Sequence, residues 1–160
     1  YVCSITGSMI IIVREANQND IYSIQKLLES LAQDSNVHVL EEQIDFFRDS
    51  NNNYLLVADL NNSVVGTVQL NICPDAMYKQ QPYALIENII VEKTSEKQGI
   101  GKALLNKVEE ICANHNCSKI MLLSSNLRNE AHNFFEQSGY SGSTKKGFIK
   151  YGSSFTVKHT

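Results

Sequence analysis

Residues Ile86 to Leu105 read IENIIVEKTSEKQGIGKALL. A near-continuous apolar strand, predicted over Tyr83–Val91, runs into a polar loop over Ser95–Gly101. Gly99-Ile100-Gly101 then opens an amphipathic helix, predicted over Ile100–His115, with Ile100, Ala103, Leu104, Val108 and Ile111 on one face. A strand, a glycine loop and a helix start make an anion cradle. The first amides of a helix are unpaired and carry partial positive charge, and glycine lets an anion approach the backbone. Lys102 adds a cation in the first turn. The spacing is not that of a P-loop, because no glycine lies five residues before Gly101. It is not the dinucleotide fingerprint either, because Leu104 stands where the third glycine belongs. By itself the glycine pair also fits an ordinary strand-to-helix turn.

Upstream, Ile10–Val13 reads as a strand, and Asn17 or Asn19 as the cap of a helix carrying Ile21, Ile24, Leu27, Leu28 and Leu31. A weaker helix is expected over Glu41–Arg48, with Ile44 and Phe46 or Phe47 inward. Strands are expected over Tyr54–Asp59 and Ser63–Asn71, joined by a hairpin turn at Asn61-Asn62, since Asn tolerates positive φ. Cys73–Pro82 holds both prolines and reads as a loop. Downstream, Lys119–Ser124 reads as a short buried strand. Leu127–Gln137 reads as a helix with Leu127, Ala131, Phe134 and Phe135 inward, stopped by Gly139. Phe148–Val157 reads as a last strand. The order β-α-α-β-β-β-α-β-α-β implies an α/β or α+β fold in a single domain over 9–160. Residues 1–8 read as a leader or cloning remnant ahead of a natural start at Met9.

Composition sets the outer limits. A chain of 160 residues is one domain's worth, large enough to bury about two thirds of its unfolded surface. With 42% hydrophobic and 19% charged residues it is a folding chain, not a disordered one. The net charge of −3 argues against a general nucleic-acid binder. The Lys145, Lys146 and Lys150 cluster reads as a solvated face. No apolar run approaches the ~18 residues of a membrane span. Cys3, Cys73, Cys112 and Cys117 show no metal-ligand spacing, so no metal is expected. Cys112 falls on an apolar helix stripe and reads as core. Sparse cysteine points to a reducing, cytoplasmic setting.

Two motifs carry a resemblance. Glu96-Lys97-Gln98-Gly99-Ile100-Gly101 is similar to the Arg/Gln-x-x-Gly-x-Gly signature of the GNAT N-acetyltransferase family, with Glu96 in place of the leading Arg or Gln. Ala131-His132-Asn133-Phe134-Phe135-Glu136-Gln137-Ser138-Gly139-Tyr140 resembles that family's terminal helix, Ala-His-x-Phe-aromatic-Glu-x-x-Gly-aromatic. The resemblance spans about Met9 to Lys150. It implies a mixed, mostly antiparallel sheet, splayed at a bulged central strand and flanked by helices. It implies acetyl-CoA as co-substrate and a homodimer as one arrangement. The loop from Glu96 through Lys97, Gln98, Gly99, Ile100 and Gly101 to Lys102 would hold the coenzyme's pyrophosphate. The backbone of Ile89, Ile90 and Val91 would pair with pantetheine. Asn126, Phe134 and Phe135 would contact it, although Asn126 also reads as a helix cap.

Transfer of an acetyl group to an amine needs a base and stabilisation of the carbonyl oxygen. Glu87 interrupts an apolar strand, where a carboxylate is costly unless paired or facing a wet cleft. Burial makes any carboxylate a better base, and Glu87 is the candidate catalytic base; the other reading is a structural, paired Glu. Many relatives carry a Tyr acid where this chain has Phe135. Tyr78, Tyr83 or Tyr151 would have to replace it, or the thiolate takes its proton from solvent. Asp34, Glu41, Glu42, Asp45 and Asp75 make the acceptor-side segments acidic, which suits a cationic amine of a small molecule (polyamine, aminoglycoside or amino-sugar) or a peptide. The competing readings are an acyl-CoA-binding or regulatory module without turnover, and a nucleotide-binding α/β domain.

Overall fold

The computed structural model describes residues 10–156. Residues 1–8, Cys3 and His159 fall outside them. Five strands form one sheet in chain order: β1 (Ile11–Glu15), β2 (Asn53–Leu60), β3 (Ser63–Cys73), β4 (Tyr83–Val91) and β5 (Ile120–Leu122). The first four pair antiparallel and β5 joins β4 in parallel. Asn61 and Asn62 turn β2 into β3, both at left-handed φ of 52° and 66°, as a two-residue hairpin requires.

Two helices cover one face. α1 (Ile21–Ala32) and α2 (Glu41–Asp49) bring Ile24 and Ile44 onto Ala16, Leu55 and Val57. Phe47 turns inward, and Phe46 is exposed. Asn17 caps a short 3-10 turn, Gln18–Asp20, that leads into α1. The buried Asp20 in that turn takes both guanidinium nitrogens of Arg14 at 2.7 and 3.0 Å and the amide of Asn17 at 2.8 Å. Burial pushes its carboxyl pKa up, but these hydrogen bonds outweigh burial and hold it below the ordinary value.

α3 (Ile100–Asn114) covers the opposite face with Ile100, Leu104, Leu105, Val108 and Cys112 buried. Gly66 on β3 makes the close approach possible. A Cβ there would stand 3.2 Å from Ile100 Cγ2, from Leu104 Cδ1 and from the Ile90 carbonyl. Cys112 is core, as expected, and burial first, with Cys117 beside it, pushes its thiol up to about 12. Such a thiol is inert.

The chain divides into two compact units, one ending at Leu122 and the next starting at Leu123. In the second, α4 (Asn129–Gln137) ends at Gly139, whose φ of 90° lets Gly139 and Tyr140 donate back to Glu136 and Phe135, each at 3.0 Å. This is the glycine stop the sequence predicts.

Three expectations are corrected. β5 is a three-residue edge strand rather than a buried one through Ser124: Met121 is 38% exposed and Leu123 54%, because an edge strand has a neighbour on one side only. Leu127 is 90% exposed, not core. Ser125 ties up the amides of Leu127 and Arg128 in a turn, so the helix starts two residues later. Residues 148–156 form no strand; they hold a 3-10 turn, Gly152–Ser154, and expose Phe148, Ile149, Tyr151 and Phe155. β-Branched and aromatic composition makes a strand only where a ladder partner exists, and Gly152 interrupts this run. Val157 lies outside the described residues.

Candidate active site

The site is built at one irregularity in β4. Gln69 faces Glu87 across the β3–β4 ladder, and Thr67 faces Ile90. Two steps on β3 thus match three on β4, which places a β-bulge between Glu87 and Ile90. Asn88 sits there at a left-handed φ of 53°, a conformation Asn accepts more readily than most residues. The extra residue resets the pleat. Glu87 and Ile90 now share the face that α1 and α2 cover, whereas strict alternation would have put Glu87 with Ile89 and Val91.

The other edge of β4 parts at the same point. The β4–β5 ladder runs Ala84↔Ile120, Leu85↔Met121 and Ile86↔Leu122, and among the described residues it stops there. Residues 87–91 are therefore held by β3 alone, with one backbone edge open.

At the end of β4 the amide of Glu92 donates to Val65 at 2.7 Å. Lys93–Ser95 make one 3-10 turn, with the buried Ser95 hydroxyl on the Glu92 carboxylate at 3.3 Å. Lys97 at φ 61° and Gly99 at φ 85° then bend the backbone. Ala103 donates to the Gly99 carbonyl at 2.9 Å and closes the first turn of α3. Among the described residues, the amides of Lys97, Gln98, Gly99, Ile100, Gly101 and Lys102 donate to no protein acceptor. Successive free amides at left-handed bends form an anion-binding nest at the positive end of a helix. A Cβ built on Gly99 meets nothing within 4 Å, so the mouth of the nest is open. Gln98 is not aimed at a ligand; its amide bonds back to Thr94 at 3.4 Å and braces the loop. Lys97 and Lys102 are exposed and make no ion pair among the described residues. Glu96 is exposed before the nest.

Glu87 is half-buried, and its carboxylate makes no hydrogen bond among the described residues. Gln69 and Asn71, both half-buried, share its face and are joined to each other at 3.3 Å. The sequence reading passed over both; the signal was two amides in alternation on an otherwise apolar strand. Of the tyrosines weighed as acids, Tyr78 is 62% and Tyr151 71% exposed. Tyr83 begins β4, where neighbouring Cys73 and then burial raise its hydroxyl pKa. Asp34, Glu41, Glu42 and Asp45 are exposed, and Asp75 is half-buried. Of these, Asp34 and Asp75 cap local turns and Asp45 takes the Gln18 amide.

The residues of the second unit are placed as follows. Phe134 is half-buried and Phe135 buried, their rings 5.3 Å apart, with Tyr140 6.1 Å from Phe135. Asn126 is exposed and makes no cap bond, since Arg128 occupies the N-cap. His132 anchors the turn before α4 through the Ser125 carbonyl at 2.9 Å. A cavity of about 390 Å³ lies elsewhere, at the far end of α3, lined by residues 78–82 with His115 and Asn116.

A bulged strand that parts from its neighbour and ends in a run of free amides gives an α/β protein with a backbone edge and a set of donors open to a ligand. Residues 20–140 match the model of the acetyltransferase (GNAT) family, and the chain belongs to that family, whose members use acetyl-CoA. Solved structures share the fold. A putative acetyltransferase from Agrobacterium tumefaciens is 24% identical over 88% of this chain and 99% of that one, with a TM-score of 0.77. An aminoglycoside acetyltransferase from an uncultured soil metagenomic sample, in complex with trehalose, is 20% identical over 92% and 97%, TM-score 0.73. An aminoglycoside N-acetyltransferase in complex with CoA is 14% identical over 92% and 99%, TM-score 0.76. Among the described residues no helix is long and apolar enough to cross a membrane, and no His, Cys, Asp and Glu cluster is arranged for a metal.

Proposed function

We propose that the protein is an N-acetyltransferase that moves an acetyl group from acetyl-CoA to a primary amine, by direct attack in a ternary complex. The observation that carries this reading is the run of free amides from Lys97 to Lys102 at the end of the parted strand. The nest fits a diphosphate: it offers donors only, and Lys97 and Lys102 flank it without competing carboxylate partners. Acetyl-CoA would supply a thioester, an acyl group activated for transfer. The open edge of Ile89, Ile90 and Val91 would pair with the pantetheine amides and direct an N–H at the acyl oxygen, which favours the charge developing there.

Glu87 takes the amine's proton, directly or through a water, so that the nitrogen lone pair is available. A C–N bond forms, the C–S bond breaks, and the thiolate is protonated from solvent. A thiolate is stable enough to leave without an acid, which accords with Phe135 having no proton to give. The exposed carboxylates of α2 draw a cation towards this side. The acceptor is thus a cationic amine, the class to which the aminoglycosides of one structural relative belong.

The test is thiol release from acetyl-CoA, followed with DTNB, across polyamines, amino-sugars, aminoglycosides and N-terminal peptides. Amine-dependent release with acetylated product is expected. CoA-dependent thermal stabilisation without release from any amine would replace this reading with that of a non-catalytic acyl-CoA-binding module, and stabilisation by ATP or NAD but not CoA would remove both.

A further inference from the structure

A polar row crosses the sheet where the α1–α2 face should be apolar. On β2 that face carries Leu55 and Val57, both buried under the two helices. Next to Leu55 in the ladder stands Gln69, and next to Gln69 stands Glu87. Asn71 lies two residues along β3, on the same face. Burying unpaired amides on a central strand costs free energy, so the row must face a wet cleft or a polar ligand. The polar atoms of the row that make no hydrogen bond among the described residues, the Glu87 carboxylate, Gln69 Oε1 and Asn71 Nδ2, are not sealed off from solvent.

The hydrogen-bond inventory limits what that ligand is. Gln69 Nε2 donates to Asn71 Oδ1 at 3.3 Å. The pair then has Gln69 Oε1 left as an acceptor and Asn71 Nδ2 left as a donor. Swapping both amides end for end puts the unbonded nitrogen on Gln69 and the unbonded oxygen on Asn71, so the pair still offers one unbonded oxygen and one unbonded nitrogen. Beside them the Glu87 carboxylate adds acceptors only. Neighbouring strands lie about 4.8 Å apart and alternate residues about 6.6 Å along a strand. The ends of Gln69 and Asn71 meet at 3.3 Å, so a group held between Glu87 and Gln69 and a group held at Asn71 can belong to one small ligand, about three covalent bonds apart.

We propose that Gln69 and Asn71 are specificity-determining residues for the acceptor, and that they select a primary amine with a hydroxyl or ether oxygen on an adjacent carbon, an amino alcohol or amino-sugar, over a plain alkyl amine. The ammonium donates to Glu87 and Gln69 Oε1, and the neighbouring oxygen accepts from Asn71 Nδ2. This inference rests on the acetyltransferase reading, and deepens it. A site built to bond an oxygen discriminates against a ligand lacking it, because its own polar group is left unpaired.

The experiment compares glucosamine and ethanolamine with 1,4-diaminobutane and butylamine as acceptors, in the wild type, Gln69→Met and Asn71→Leu, with CoA affinity and melting temperature measured for each. The wild type should favour the oxygen-bearing amines at least 10-fold in kcat/KM. Gln69→Met should raise KM about 10-fold for every amine, with kcat and CoA affinity within 2-fold. Asn71→Leu should erase the preference between the two sets, with CoA affinity within 2-fold. A wild type that acetylates amines without preference, or variants with unchanged KM and preference, would overturn this inference and leave the acetyltransferase reading standing. No turnover of any amine by the wild type would overturn both. If Gln69→Met does not fold, the preference of Asn71→Leu decides by itself.

Discussion

Tyr83–Ile86 and Glu87–Val91 are halves of one strand, but among the described residues β3 and β5 bond the first half on both edges, while only β3 pairs with the second. Ala84 and Ile86 are buried at 0% and 1% exposure, whereas Glu87 to Val91 are half-buried or exposed. The boundary falls at the bulge on Asn88. The same β4 backbone is thus structural before the bulge and available to a ligand after it. Substitutions in the two halves should separate stability from function, and the nest just beyond should behave like the second half.

The largest effect is expected at the nest. Gly99→Glu places a carboxylate where the free amides converge, and CoA should bind about 1,000-fold more weakly, roughly 4 kcal/mol, by titration calorimetry. Folding should lose only about 1–2 kcal/mol, from a Cβ at φ 85°. Gly99→Ala carries the strain without the charge and separates the two terms. In the first half of β4, Ile86→Ala should cost about 3 kcal/mol in urea unfolding, with CoA affinity unchanged in the folded fraction. One residue later the sign of the comparison reverses. Glu87→Gln should melt within a degree or two of the wild type and bind CoA equally well, yet lose about 100-fold in kcat, with a flattened acidic limb in the pH–rate profile. If Glu87→Gln unfolds the protein while Ile86→Ala does not, the division of β4 is wrong.

The smallest effect belongs to the short turn that leads into α1. Arg14 and the Asn17 amide hold Asp20 below its ordinary 3.8 despite burial. A carboxylate whose pKa is lower folded than unfolded stabilises the fold above the unfolded value, and that contribution is lost as pH falls through the folded one. Stability should therefore drop as pH falls below about 4. In Asp20→Asn the drop should shrink, at a cost near 1.5 kcal/mol at neutral pH, and CoA affinity should not change.

Much of this was legible in the sequence because the signals were local. Tyr83–Val91 lies where the apolar run placed it, Asn61-Asn62 makes the hairpin, and Gly99 opens α3. The glycine pair and the terminal helix also carried the family. The bulge was legible only through the family resemblance, since which β3 partner Asn88 skips depends on a register no local pattern records. Gln69 and Asn71 were missed for the same reason, since their meaning comes from standing opposite Glu87 on a neighbouring strand. Residues 148–156 have strand-like composition and no strand, because a ladder partner decides that outcome. Leu127 matched the helical period, yet the Ser125 turn takes it out of the helix.

Amide chemical shifts recorded during a CoA titration of isotopically labelled protein test the central claim most directly. The account predicts that the resonances of Lys97, Gln98, Gly99, Ile100, Gly101 and Lys102 move downfield together with those on the open edge of Ile89–Val91, while Ala84 and Ile86 stay still. Binding that leaves the six loop amides unmoved, or that shifts Ala84 and Ile86 instead, would contradict it.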